Sequence, residues 1–356
     1  MAMEKDSLLK GRGAQINSHN PYLRQSYVEE HIEGLDEPLI GETETEIIRE
    51  FPKKILNKVE SPDIGLGWSM NPYQGCEHGC IYCYARNVHQ YWGLSAGLDF
   101  ERKIIVKENA PALLEETLRN PNWEPEPIMF AGNTDIYQPI ERKLQITRKM
   151  LEVLLRYRHP VGLITKNSLI LRDLDLLAEM AKFNLVGVSI SVTTLDEKLR
   201  QKLEPRTASA KLRLKTIRHL SDAGIPVNVM VAPIIPGLNS HEVPAIIRAA
   251  ADHGAISAGY TVVRLNGAVG ELFVDWINKT FPDRAEKVLS QIAACHGGSL
   301  HDNRFGYRIK GEGEIAKSIA QLFRTAKEKY LSGREWPRLE TSHFVRLNRG
   351  GQMSLF

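Results

Sequence analysis

Long apolar runs are missing from this chain of 356 residues. No segment approaches the roughly 20 consecutive apolar residues that cross a bilayer. The opening residues MAMEKDSLLKGRGAQ contain no hydrophobic stretch of the signal-peptide kind. The expectation is a cytoplasmic protein with no membrane partner. Cysteine is scarce, with four in all and three of them clustered, which excludes a disulfide framework and suits a reducing compartment. A strong charge of one sign is also missing. The net charge is +3 and the pI about 8.5, short of the basic footprint of a dedicated nucleic-acid binder. The distribution is uneven: residues 1–60 hold 8 Lys and Arg against 12 Asp and Glu, whereas residues 301–356 hold 11 against 6. A basic C-terminal region can meet nucleic acid, but a solvated surface explains the same imbalance. With 42% hydrophobic and 25% charged residues, the composition is that of a soluble globular protein. Its length allows one large α/β domain with extensions, or two ordinary domains.

What is present is concentrated in Asn71 to Arg86, NPYQGCEHGCIYCYAR. Cys76, Cys80 and Cys83 are spaced C-x3-C-x2-C, and Gly75 and Gly79 give the backbone the freedom to wrap three thiolates around one centre. A closed structural zinc site takes four ligands, and His78 is available for a Cys3His set. Iron–sulfur clusters are bound by cysteine thiolates; a [4Fe–4S] cluster on three cysteines keeps one iron open to a small molecule. Three unrelated buried cysteines are the remaining alternative.

After this loop, apolar strand-like runs alternate with helical spacings. KIIVK (103–107), PIMF (127–130), VGLITK (161–166), LVGVSISVTT (185–194), PVNVMVAPIIPG (226–237) and AGYTVVRL (258–265) read as strands. Between them, residues 111–120, 145–158, 173–183, 209–224 and 242–254 read as helices, with Asp173 capping the third and Gly224 closing the fourth. Buried parallel strands alternating with helices are βα units. Six of them predict an α/β partial (β/α)6 barrel, whose reactive groups sit at the C-terminal ends of the strands. The expected divisions are an N-terminal extension (1–60), a core barrel (61–270), C-terminal helices packed across the open side (271–331) and a basic tail (332–356).

The C-x3-C-x2-C spacing, with Tyr82 just before the last cysteine, resembles the signature of the radical S-adenosylmethionine (SAM) superfamily. That resemblance implies a [4Fe–4S] cluster on Cys76, Cys80 and Cys83. It also implies SAM bound to the open iron, a 5′-deoxyadenosyl radical, the same partial barrel, and a flavodoxin or ferredoxin as electron donor. Tyr82 would flank the cofactors. The loop after the second core strand, which in the family contacts the SAM amino group through Gly-Gly-Glu, is here Gly132-Asn133-Thr134-Asp135, so Thr134 and Asp135 are the expected substitutes. Lys166, a lone cation ending its strand, suits the SAM carboxylate. Ser189, Ser191 and Thr193 share a strand face, and Ser191 is the expected SAM contact. APIIPGLN (232–239) resembles the adenine-holding motif and nominates Ile235 and Gly237. Tyr84 and Arg86 are expected to line the substrate side.

TDIYQPIER, LITK, LEPRTAS and MVAPIIPG resemble the branch containing spore photoproduct lyase and its DNA repair photolyase relatives, from about Asn71 to Leu265. The GRGA…NP element and SAGLDFE (95–101) match a bacterial subgroup of it. One departure concerns chemistry. The lyase carries a hydrogen-donating cysteine after its second core strand, where this chain has Gly132 or Asn133, which passes the role to Tyr84 or to Cys295, the one spare cysteine. The terminal peptide Gln352–Phe356 resembles the motif by which bacterial DNA enzymes dock on the replication sliding clamp. The first expectation is thus a radical SAM enzyme acting on DNA. The second keeps the chemistry but acts on RNA, a protein or a metabolite, and the third is a non-catalytic iron–sulfur or zinc interaction module.

Overall fold

The structure is a computed structural model that describes residues 9, 11–22, 45–63, 65 and 67–347. Its strands, in chain order, are β1 (Glu46–Glu50), β2 (Leu56–Lys58), β3 (Trp68–Met70), β4 (Tyr73–Gln74), β5 (Lys103–Lys107), β6 (Ile128–Phe130), β7 (Val161–Thr165), β8 (Val186–Ser191), β9 (Val227–Ile234) and β10 (Ser257–Val262). Seven of them form one sheet in the order β10-β9-β8-β7-β6-β3-β2. From β3 to β10 every neighbour is parallel, and only β2 runs antiparallel at the edge. This is the six-stranded parallel partial barrel. Val186, Val188 and Ile190 on one face of β8 are fully buried with Leu177 and Met180 of helix Leu174–Ala181 and with Ile217 and Leu220 of helix Ala210–Asp222. Gly187, Ser189 and Ser191 alternate with them and turn to the lumen.

The strand roster needs one correction. KIIVK reads like a barrel strand, but as β5 it pairs parallel with β1 and antiparallel with β4 in a separate three-stranded sheet. The first barrel strand is instead β3, which runs directly into the cysteine loop. A second correction concerns Asp173. Its carboxylate caps nothing and instead accepts from Arg148 and Arg172.

The C-terminal helices pack differently from expectation. Helix Gly313–Leu331 lies on the outer face of the last strand, where Phe323 meets Tyr260 at 4.4 Å between ring centroids. Helix Ala268–Thr280 packs beside the cysteine loop, in an apolar cluster that joins Leu272, Phe273 and Trp276 to Ile81 and Tyr82. The gap between β2 and β10 is crossed by loops. Asp63 in the β2–β3 connection accepts from Gly306 N at 2.8 Å and Arg308 Nε at 2.6 Å, and Ile309 O takes the amide of Val262 in β10. The expected boundary at residue 60 therefore falls inside the β2–β3 hairpin.

The tail does not hang free as far as Leu347. Trp336 fills the space beside Gly187, where a Cβ would come within 2.6 Å of the indole. Glu340 N bonds Asn184 O, and Val345 N bonds Tyr157 O. Both acceptors precede barrel strands, so the tail straps the bottom of the barrel, opposite the mouth. The peptide Gln352–Phe356 lies outside the described residues. Among the described residues no helix is long and apolar enough to cross a membrane.

Candidate functional site

The cysteine loop starts where β3 ends, at the C-terminal mouth of the barrel. Gly75 and Gly79 both have positive φ, +77° and +67°, a region that favours glycine. A Cβ on Gly75 would also lie 2.8 Å from Lys103 O. The loop is held from outside by TDIYQPIER. Thr134 Oγ1 donates to Tyr73 O at 2.6 Å, Gln138 Nε2 donates to Gly75 O, and Gln138 Oε1 accepts from Glu77 N. Glu77 accepts from Ile140 N at 2.6 Å, and the Tyr73 hydroxyl bonds Glu141. Across the loop, Ile81 N bonds Leu203 O and Arg206 N bonds His78 O, so LEPRTAS grips the other side.

All four cysteines are free thiols. Burial pushes the Cys76 thiol well up, with Asp135, Cys80 and Cys83 adding to the effect. The Cys80 thiol is pushed up to about 12 by burial, then by Glu204, with Cys83 contributing. Cys80 and Cys83 add to the rise at Cys76, and Cys83 to that at Cys80, so a cationic centre that displaces their protons would relieve both thiols. The expected fourth zinc ligand, His78, is committed to other partners. His78 Nδ1 faces Asp135 Oδ2 at 3.4 Å, and Nε2 faces Asn167 Nδ2 at 3.2 Å, so both ring nitrogens are engaged away from the thiols. A cluster that needs three thiolates and leaves one position open fits this donor set.

Around the thiols the expected residues divide. The Tyr82 hydroxyl is buried against Glu204 and lies 3.4 Å from Thr193 Oγ1, while Lys166 Nζ stands 6.0 Å above the Tyr82 ring. Lys166 makes no ion pair with a described residue. Burial would lower its pKa, but Cys80 and Glu204 together raise it, so it stays a cation. Ser191 is at the end of β8, with its carbonyl held by Arg213 at 3.0 Å. Tyr84 is 48% exposed, and its hydroxyl donates to Gly132 O.

Other residues are placed elsewhere than expected. Asp135 is in the mouth, but its oxygens are taken: Oδ1 by Tyr137 N and Thr165 Oγ1, Oδ2 by Lys166 N and the facing His78. Burial would raise its pKa, yet His78 and these donors hold it at about 2. Thr134 is likewise buried on Tyr73 O. Arg86 does not line the mouth; it is fully buried, donating to Cys80 O at 2.9 Å and to Glu101 at 2.6 Å. Ile235 N is capped by Asn239 Oδ1 at 2.6 Å. Gly237, at φ +78°, makes room for Gln291 and Val288 of helix Pro282–Ala294. Cys295 is fully buried at the end of helix Pro282–Ala294, with its carbonyl accepting from Glu312 N, whereas Tyr84 is exposed beside Cys83.

Two motifs without an expected role meet at the loop. Glu101 of SAGLDFE accepts from Gly13 N and Ala14 N, at 3.2 and 2.7 Å, and Arg12 Nη1 donates to Glu101 O. The GRGA segment thus lies flat on the cysteine loop, where a Cβ on Gly13 would fall 1.7 Å from Gly79 O. Gly13→Ala should therefore cost about 1–3 kcal/mol through overpacking. Urea unfolding measures the loss, and faster proteolysis in 11–22 reports the lifted strap; unchanged rates and stability would refute it.

Comparison with known proteins gives a consistent result. Residues 70–250 match the family model described as the Radical SAM superfamily. An uncharacterized protein of Mycobacterium tuberculosis is 32% identical over 234 residues, 65% of this chain and 69% of that one. An uncharacterized protein of Methanocaldococcus jannaschii is 31% identical over 193 residues, covering 54% and 69%. Among solved structures, a spore photoproduct lyase mutant with bound AdoMet and dinucleoside spore photoproduct superposes with a TM-score of 0.60. The identity is 17%, covering 81% of this chain and 79% of that one. At that identity the likeness is one of fold.

Proposed function

This chain belongs to the radical SAM superfamily, and on that premise we propose that it generates a 5′-deoxyadenosyl radical to act on a modified or damaged nucleotide in DNA. The family's cofactors are a [4Fe–4S] cluster and SAM, which when bound supply the electron and the sulfonium from which the radical arises. The observation that carries the reading is a single loop at the mouth of a parallel barrel that holds Cys76 and Cys80 buried, with raised thiol pKa values to which the half-buried Cys83 contributes, and in which His78 is engaged by Asp135 and Asn167. Cys76, Cys80 and Cys83 would hold the cluster. Lys166, a cation without a carboxylate partner among the described residues, would take the SAM carboxylate together with Ser191. The amino group would take the Gly132 carbonyl, since the Asp135 oxygens are already committed; that carbonyl accepts the Tyr84 hydroxyl here and has a second lone pair free. The adenine side falls to backbone near Ile235.

DNA as substrate is supported by the motif resemblance to the photolyase-like branch and by the shared fold. Reaction on the lyase's own lesion is less favoured than reaction on another one, because no cysteine follows β6 and Cys295 is buried. Tyr84, exposed beside Cys83, is the hydrogen donor we assign. An electron donor of the flavodoxin or ferredoxin class must reduce the cluster in each cycle.

The test is anaerobic. The iron- and sulfide-reconstituted protein is reduced with dithionite, given SAM, and assayed for 5′-deoxyadenosine with and without ultraviolet-irradiated DNA. Stimulation by irradiated DNA is the expected result. Cleavage of SAM that no DNA stimulates, but RNA or protein does, would replace DNA with that substrate. Tyr84→Phe should keep SAM cleavage while lowering the yield of altered DNA by roughly tenfold or more. An unchanged ratio of DNA product to 5′-deoxyadenosine would remove Tyr84 from the hydrogen path.

A further inference from the structure

The cations in and around the mouth are nearly all committed, with Arg86 and Arg213 in the interior behind it. Arg86 pairs with Glu101, Arg213 with Glu204 and Arg308 with Asp63. Lys166 is assigned above to SAM. Arg264, two residues beyond β10, remains. It is half-buried, and among the described residues it makes no hydrogen bond or ion pair; its one close partner is the ring of Tyr84, 5.8 Å from the guanidinium carbon. Burial pushes its pKa down, and the nearby Arg308 pushes the same way. Tyr84, Asp63 and Asp302 offset this only in part, so an arginine held partly out of water, with no carboxylate in direct contact among the described residues, is open to an anion.

Its surroundings indicate which anion. Tyr84 directly follows the cluster ligand Cys83, so a group bound at Arg264 sits beside the reacting centre. Across the open side, Arg308 lies 4.2 Å over the Phe305 ring. Phe305 and Tyr307 are 56% and 49% exposed. Guanidinium groups stand over part-exposed rings, Arg264 by Tyr84, Arg308 by Phe305 and Arg304 by Tyr307, and so offer charge for phosphates beside ring surface for bases. A lone small anion would leave the rings without purpose, and an apolar substrate would leave Arg264 unpaired.

We propose that Arg264 binds a backbone phosphate adjacent to the reacting nucleotide, with the faces of Tyr84, Phe305 and Tyr307 available to flanking bases. The inference rests on the nucleic-acid reading above and adds its point of attachment. The test uses the reconstituted holoenzyme with SAM and a fluorescent single-stranded oligothymidylate, its anisotropy followed across a salt series. Arg264→Gln should weaken binding by about tenfold and reduce the slope of log K against log salt by about 0.7, the value for one phosphate on a single strand. Arg264→Lys should restore the slope, since it restores the charge. Arg324→Gln, on an exposed face of the C-terminal helix, should change neither. Arg264→Gln with wild-type affinity and slope would overturn the proposal. So would loss of SAM affinity with oligonucleotide binding retained, which would make Arg264 a SAM ligand. Failure of the wild-type holoenzyme to bind any oligonucleotide would instead bring down the nucleic-acid reading itself, and the inference with it.

Discussion

Cys80→Ala is expected to give a folded protein that assembles no [4Fe–4S] cluster and forms 5′-deoxyadenosine only at background. The side chain lost is small, and the loop around it is fixed by groups the substitution leaves in place. Cys80 O still accepts from Arg86 Nε, Ile81 N still bonds Leu203 O, and Glu101 still clamps Gly13 and Ala14. What disappears is one of three thiol ligands, and among the described residues the neighbouring His78 is no spare, since it is engaged by Asp135 and Asn167. Cys76→Ala and Cys83→Ala should behave alike. Cys295→Ala should keep its iron, sulfide and SAM cleavage, because that thiol is buried in the barrel's outer core. Iron and acid-labile sulfide per chain, visible absorption and product chromatography give the readings. Retention of cluster and activity in Cys80→Ala would defeat the assignment. Stoichiometric zinc lost equally in His78→Ala would return the case to a zinc module.

The cysteine triad was legible because its chemistry is local: the nine residues from Gly75 to Cys83, with two spacers and two glycines, describe a wrap. The barrel was legible for a similar reason, since each βα unit declares itself within about thirty residues. What could not be read is pairing across the chain. KIIVK has the pattern of a barrel strand, and only its partners, Glu46–Glu50 and Tyr73–Gln74, decide its sheet. Asp135 at a strand end looks like a ligand, and nothing in its neighbours along the chain discloses that Thr165 and His78 occupy its oxygens. Arg86 follows the cysteines and invites a role in the mouth, but its partner Glu101 buries it. Arg264 and Glu204 carried no expectation at all, although LEPRTAS was conspicuous as a motif. The signal that was available is the glycine in GRGA: a small residue amid polar ones marks a close backbone approach.

The second large effect is expected at Glu204, where the grip on the cofactor side is electrostatic. Its carboxylate is fully buried and takes Arg213 Nη2 at 2.5 Å, Thr193 Oγ1 at 2.6 Å and the Tyr82 hydroxyl. Burial alone would raise its pKa, but Arg213, then Lys166 and the two hydroxyls, hold it at about 2. Glu204→Ala leaves Arg213 in the interior with no counter-charge, a loss on the order of 3–5 kcal/mol. It also frees the guanidinium that fixes Ser191 O and the ring beneath Lys166, so SAM affinity should fall with stability. Glu204→Met combined with Arg213→Met should cost less than the sum of the two single changes, because no charge is then left buried unpaired. The pH dependence has a definite sign. A carboxyl depressed to about 2 in the fold, against about 4.3 when unfolded, contributes its full share of stability above the unfolded value. That share is lost as pH falls through the window between the two. Asp135, also held at about 2, acts in the same direction, so Glu204→Gln should keep part of the wild-type acid limb but not all of it. Urea unfolding from pH 5 down to pH 2 reads this directly. A Glu204→Ala protein as stable as the wild type, with an identical acid limb and unchanged SAM affinity, would mean that the network is a passive neighbour of the site and that Tyr82 and Lys166 are positioned by packing alone.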